Sequence, residues 1–395
     1  MEPMNKFPSS RERVNKAINH QAPDRIPVDF LAVPEIWESL IADLNINPGL
    51  PASDYFDVRW ESLLRHLEVD CRVISYDQFP LPPQDVLDPG AQVSWYSSLG
   101  RSTPNRMWRQ LSPGGEIKDI WGRVFRVKEN PYGAYEEISR YPLSTAQSGS
   151  DIAKHAWPDP DWWDFSGLSE LLEAMNQDRE HHIRYRLGSV FEVAWQLRGF
   201  DKFLLDMAID PQLPSQIMHR LTEIYLEITE RFLQASKGRI DMVYFYDDVA
   251  TQESLLISKD MWQELIQPHH QKLIDLIKKY DLKVMYHCDG AIYPLIGHLI
   301  DMGVDVLNPI QADAKNMAPT TLKKEFGDQL AFHGGIDIID TLPNGTPHQV
   351  QEEVSNRIAV LGEGGGYIMG SSHHIQADTP LDNIYAMYDL AIRTT

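Results

Sequence analysis

KVMYHCDG, residues 283–290, starts as an apolar strand and ends in a histidine, a cysteine and an aspartate. Residues two apart on a strand share a side, so His287 and Asp289 face together while Cys288 faces away, toward packing, where a free cysteine behaves as a small hydrophobe. A short run that is apolar on both faces fits a parallel sheet covered by helices. Seven further runs have this character: RIPVDF (25–30), CRVISYD (71–77), IRYRLG (183–188), MVYFYDD (242–248), VDVLNPIQ (304–311), LAFHGGID (330–337) and GYIMGSSH (366–373). Between the last six lie segments of helical period, VFEVAWQLRGFDKFLLDM, PSQIMHRLTEIYLEITERFLQAS, MWQELIQPHHQKLIDLIKKY, IYPLIGHLIDM and HQVQEEVSNRIAVL. This alternation predicts an α/β fold, a (β/α)8 TIM barrel spanning 1–395 as a single domain.

One interval breaks the rhythm. Between the runs at 71–77 and 183–188 lie AQVSWYSSLG, MWRQLS and GGEIKDIWGRVFRV with several Pro and Gly turns. A structureless connection of that length is unusual in a compact domain. The interval is read as a small β-rich insertion or lid over about 85–165, followed by a helix near 167–178. Its Trp95, Tyr96, Trp108 and Trp121 either cover an aromatic substrate or dock a partner, or pack half-buried within the insertion.

Composition narrows the function classes. A formal net charge of −21 over 395 residues repels phosphate, which excludes nucleic acid and an anionic membrane as partners and leaves a docking partner with a basic face. Two cysteines far apart and an N-terminal stretch without an apolar core point to a reduced, cytoplasmic setting. No apolar run approaches the roughly 20 residues that span a bilayer.

Several strands end in polar residues that a buried strand avoids: Tyr246, Asp247 and Asp248; His287 and Asp289; Asn308 and Gln311; His333 and Asp337; His373 and His374. C-terminal strand ends of a (β/α)8 barrel converge on the face that carries the active site. His287 and Asp289 taken alone read as a hydrogen-bonded pair orienting a loop. The segment GSSHHIQADTP adds His373 and His374, and a catalytic zinc takes three protein ligands with a fourth position open. The same histidines also suit a substrate carboxylate or phenol.

RERVNKAINHQAPDRIPVDF, YFYDDVATQESLLIS, HCDGAIYPLIGHLIDMGVDVLNPIQ, GGIDIIDTLPNGTPHQVQEEV and HHIQADTPLDNI together resemble the shared blocks of the uroporphyrinogen decarboxylase-like superfamily. The resemblance covers most of the chain and implies a (β/α)8 barrel. True uroporphyrinogen decarboxylases carry an arginine-rich block near the first strand, suited to a polycarboxylated porphyrinogen. Here the corresponding PVDFLAVPEIWESL has no arginine, so the chain is similar to the corrinoid-dependent methyltransferase branch. In thiol-alkylating members zinc is held by His-x-Cys and a later Cys before Thr-Pro. Those positions fall on His287, Asp289 and His374, the last ahead of Thr379-Pro380.

What the resemblance implies is a metal set of His287, Asp289 and His374 for Zn²⁺, with cobalamin or another corrinoid carried by a partner protein. One carboxylate and two neutral imidazoles leave more positive charge on zinc than two thiolates do, which favours polarising an ether or phenol oxygen over holding a soft thiolate. The expected activity is O-demethylation of a methoxylated small molecule, aromatic ones among the candidates, by a methyltransferase, and the resemblance favours a homodimer. Asp248 is read as a catalytic acid/base or an orienter of His287, or as the N-cap of the next helix. Glu192 is a second catalytic candidate or a first-turn glutamate facing the helix dipole. Tyr246, Gln311, His333 and His373 are the substrate-binding candidates; the glycines after His333 either admit substrate closely or make a turn. Rival readings are a metal-independent decarboxylase of a small carboxylic acid, with Asp248 stabilising positive charge, and a non-catalytic binder.

Overall fold

The computed structural model describes residues 8–47, 58–96, 107–130, 133–177 and 179–393. Its first regular strand is β1 (Cys71–Ser75). Five antiparallel strands follow, β2 (Gln92–Tyr96), β3 (Met107–Leu111), β4 (Ile117–Asp119), β5 (Val124–Asn130) and β6 (Gly133–Arg140). The remaining strands are β7 (His182–Arg186), β8 (Met242–Tyr246), β9 (Lys283–His287), β10 (Val306–Asn308), β11 (Ala331–Ile336) and β12 (Tyr367–Ser371). β1 and β7 to β12 form one seven-stranded sheet in chain order, every neighbouring pair parallel.

The expected strand over 25–30 is not continuous. Residues 27–32 instead bond irregularly to both edges of the sheet: Asp29 N donates to Met369 O at 2.9 Å, Met369 N to Pro27 O at 2.9 Å, and Asp70 N to Val28 O at 2.9 Å. Only Val28 and Ala32 make bridge pairs, with Met369 and Ile375. Pro27 has no N–H to give, and Asp29 draws the Phe30 N–H onto its own side chain at 3.0 Å, so the ladder is interrupted twice. The result is a curled sheet of seven strands whose edges meet through this segment.

Outward-facing residues such as Val243, Phe245, Val284, Tyr286 and Cys288 join the core beneath the helices. The long helix Gln212–Ala235 meets them with Ile217, Leu221, Ile224, Ile228 and Phe232, the one-face spacing of an amphipathic helix. Two segments expected as single helices are split. Gly199, at φ +96°, separates Phe191–Arg198 from Phe200–Ile209, and Pro268 starts a new helix, Gln267–Lys278, after Lys259–Leu265. Inside the curl, Cys71, Met242, Met285, Val306, Ala331 and Ile368 form a small apolar cluster closed from below by Val14 and Ile18 of the helix Ser10–Ile18. This plug fills the N-terminal end, so the inward polar residues lie above it, toward the C-terminal rim.

β2 to β6 form a separate antiparallel sheet between β1 and β7. Trp108, Arg109, Asp119, Trp121 and Arg123 from it meet Tyr76, Asp77 and Tyr246 of the rim around a cavity of about 40 Å³, room for about one water. The small sheet therefore borders the rim there. Trp108 and Trp121 are buried, and the side chains of Trp95 and Tyr96 lie outside the described residues. A short helix, Gly149–Lys154, follows the sheet, and the helix expected near 167–178 runs over Leu168–Met175. No described helix is long and apolar enough to cross a membrane.

Candidate active site

β9 delivers His287 to the rim, and Asp289 follows two residues on. His287 Nε2 lies 3.7 Å from Asp289 Oδ1, and His373 Nε2 lies 3.5 Å from Asp289 Oδ2. One ligand atom from each of the three residues falls within 4.8 Å of the others. Tetrahedral zinc with bonds near 2.0–2.1 Å sets its ligand atoms about 3.3 Å apart, so the donor types and the observed separations suit such an ion after small side-chain movements. His287 is nearly buried, but the side chains of His373 and Asp289 are 34% and 27% exposed. The group thus has an open side.

The histidine that the structure gathers with His287 and Asp289 is not the one expected there. Where His374 was expected as ligand and His373 as substrate contact, the geometry gathers His373 with His287 and Asp289. A bend at Ser372 and His373 after β12 interrupts the strand alternation and swings His373 toward Asp289. His374 packs edge-on behind it, with ring centroids 4.6 Å apart and Nδ1 3.3 Å from His373 Nδ1. Burial holds both imidazoles below their ordinary pKa, His374 further depressed by His373 and His287, which keeps them neutral as metal ligands must be.

Two expected substrate contacts are committed to other partners. Gln311 donates from Nε2 to Asp289 Oδ1 at 3.0 Å, and its Oε1 accepts from Gly290 N at 2.8 Å and Gln252 Nε2 at 2.9 Å. It orients the aspartate. His333 is buried, with Nε2 2.8 Å from Asp29 Oδ2 and Nδ1 2.6 Å from Asn308 Nδ2. Both ring nitrogens are engaged, leaving no polar atom for substrate. The glycines that follow serve the backbone: Gly334 has φ +92°, and a Cβ there would sit 2.9 Å from Ser371 O. Tyr246 does border the site, its ring perpendicular to His287 at 6.5 Å, with Tyr244 at 6.0 Å. Arg186 lies 5.8 Å from the Tyr246 ring, held by Ser75 Oγ at 2.9 Å and Asp77 Oδ2 at 2.6 Å.

Asp248 accepts the Asp289 N–H at 2.7 Å and stands 3.8 Å from His287 Nε2. It caps no helix, since the next one begins at Lys259 and is capped by Ser258. Capping falls to Asp247, which accepts Val190 N at 3.1 Å and Glu192 N at 2.8 Å across from β8. Ser189 and His270 also bond to Asp247. Serine and histidine on one carboxylate, all buried, make an anchor for the loop rather than a nucleophilic triad, in which histidine must touch serine. The anchored loop presents Glu192, whose Oε1 accepts Asp248 N at 3.2 Å. Burial, then Asp248 and Asp247, push the Glu192 carboxyl well above the usual range. Burial also raises Asp248, against the pull of His287.

Asp29, Arg184 and Arg186 were not among the expected site residues, and Asn308 was expected at the rim without a role. Arginines at 184 and 186 were the available signal: alternate charges on a strand expected to be buried on both faces.

A curled parallel sheet with ligand-type side chains gathered at its C-terminal rim defines a barrel-type α/β protein. The chain belongs to the uroporphyrinogen decarboxylase (URO-D) family, whose model matches residues 150–393, more than half of the chain. It is 25% identical over 200 residues to a methylated-thiol–coenzyme M methyltransferase of Methanosarcina mazei, covering 51% of this chain and 50% of that one. It is 24% identical over 196 residues to a uroporphyrinogen decarboxylase of Coxiella burnetii, covering 47% and 50%. The chain thus spans about half the length of the curated relatives it matches. A solved structure titled methyltransferase from Methanosarcina mazei matches with a TM-score of 0.60 over 98% of this chain and 99% of that chain at 15% identity, a likeness of fold.

Proposed function

We propose that the protein is a zinc-dependent methyltransferase that removes the methyl group of a small methoxylated molecule and passes it to a corrinoid on a partner protein. The observation that carries this reading is the convergence of His287, Asp289 and His373 within 4.8 Å. Similarity to a relative named as a methyltransferase supports the reaction class. These three residues would hold zinc, which when bound supplies Lewis acidity to an ether oxygen.

The chain's own residues do the rest. Glu192, whose carboxyl is pushed well above the usual range by burial, Asp248 and Asp247, would hold the proton that the departing oxygen takes up as the methyl group leaves for its acceptor. Asp248 links Glu192 to the metal group by accepting from Asp289 N while its own N–H donates to Glu192. Tyr244 and Tyr246 wall one side of the site and suit a flat, weakly polar substrate. Asp248 and Asp289 together disfavour a polycarboxylated substrate, since like charges would be brought close there.

Elemental analysis of protein purified without chelator tests the ligand set. Wild type and His374→Ala are expected to hold one zinc per chain, and Asp289→Ala and His373→Ala to lose it. Unchanged zinc in both of the latter would reject the site.

A further inference from the structure

Beneath His287 runs a line of hydrogen bonds among buried side chains. His287 Nδ1 meets Asn308 Oδ1 at 2.6 Å, Asn308 Nδ2 meets His333 Nδ1 at 2.6 Å, and His333 Nε2 meets Asp29 Oδ2 at 2.8 Å. Arg184 bonds to the same oxygen of Asp29 through Nη2, and its Nη1 lies 3.2 Å from His333 Nε2. Asp29, Arg184, His333, Asn308 and His287 are all less than one-tenth exposed.

We propose that Asn308 is a positioning residue that fixes which nitrogen of His287 carries the proton, and that Asp29 and Arg184 set Asn308 through His333. The direction is read from the charged end. His333 Nε2 faces the Asp29 carboxylate, which only accepts, at 2.8 Å and Arg184 Nη1, which only donates, at 3.2 Å; the shorter contact is taken as the hydrogen bond, because Arg184 is already bonded to Asp29, so His333 Nε2 bears the proton. A second proton on His333 would place another cation beside Arg184, over a carboxylate that Arg184 already neutralises. His333 Nδ1 is therefore bare and accepts, and Asn308 must turn its NH₂ toward it. That leaves Asn308 Oδ1 facing His287, whose Nδ1 must then be the donor. His287 Nε2 is left bare on the side of Asp289 and His373, ready to bind an ion. Reversing Asn308 would set two acceptors against each other at His333, where both side chains are buried.

This inference rests on the reading of His287 as a metal ligand, and it is tested without metal. Long-range proton–nitrogen correlation spectra of the full chain, histidine-labelled with ¹⁵N and stripped of metal, report the tautomer of each neutral imidazole, and His287→Ala identifies the signal of interest. The expected result is His287 protonated on Nδ1 with Nε2 bare. A predominant Nε2–H form would overturn the proposal, whatever zinc does. In Asn308→Leu the His287 signal is expected to lose its single-tautomer character and zinc affinity, measured against a competing chelator, to fall about 10- to 100-fold. An Asn308→Leu protein that keeps the Nδ1–H form of His287 would equally reject Asn308 as its cause. If the wild-type tautomer is as expected and zinc still fails to bind, the metal reading fails and the line of bonds stands.

Discussion

Under the proposed function, Glu192 concentrates the chemistry at the scale of single residues. It is partly buried at the start of the helix Phe191–Arg198, and the neighbouring Asp248 and Asp247 add to the burial that raises its carboxyl. A group whose folded pKa is raised is protonated in the fold at a pH where the unfolded chain has released the proton. It therefore lowers stability as pH climbs from the unfolded value toward the raised one. Glu192→Gln keeps the shape and removes that titration. Relative to wild type, the variant is expected to gain stability as pH rises above about 4.5, the ordinary glutamate range, in urea melts taken across pH. Its methyl-transfer rate is expected to fall by about 10²- to 10⁴-fold, the usual contribution of a positioned acid. Equal rates for the two proteins would remove Glu192 from the reaction.

At the scale of elements, β7 is the unusual strand. Arg184 points inward from it to Asp29, and Arg186 points inward to Ser75 and Asp77. A buried ion pair is a poor source of stability, because desolvation offsets most of the attraction, whereas removing one partner leaves the other charge stranded. Asp29→Ala is expected to cost about 3–5 kcal/mol in chemical denaturation, while the paired change Asp29→Leu with Arg184→Met restores most of that loss. Zinc affinity is expected to stay low in the paired variant, because His333 and Asn308 lose their anchor. Full zinc affinity in a paired variant of normal stability would assign the ion pair no part in the site.

Much of this level was legible in the sequence, because local periodicity governs it: the strand runs from 71 onward, and the two-residue alternation that sets His287 beside Asp289 and Cys288 in the core. What was not legible depends on departures from periodicity or on distant partners. The bend at Ser372 and His373 brings His373, rather than His374, beside His287 and Asp289. The 27–32 segment loses its ladder to Pro27 and to the side chain of Asp29. The Asp29–Arg184 contact joins residues far apart in the chain, and no local pattern announces it.

For the whole molecule, the small antiparallel sheet lies against the rim beside Tyr76, Asp77 and Tyr246. The net charge of −21 suits a corrinoid protein with a basic docking face, and complementary charge of this kind acts on encounter rate and weakens with salt. The most direct measurement follows methylcobalamin formation when the zinc-loaded protein is given cob(I)alamin and a panel of methoxylated compounds. The expected result is methylcobalamin from at least one member of the panel, abolished by chelator and restored by zinc. Carbon dioxide release from a small acid, unaffected by chelator and with no methylcobalamin from any donor, would contradict it.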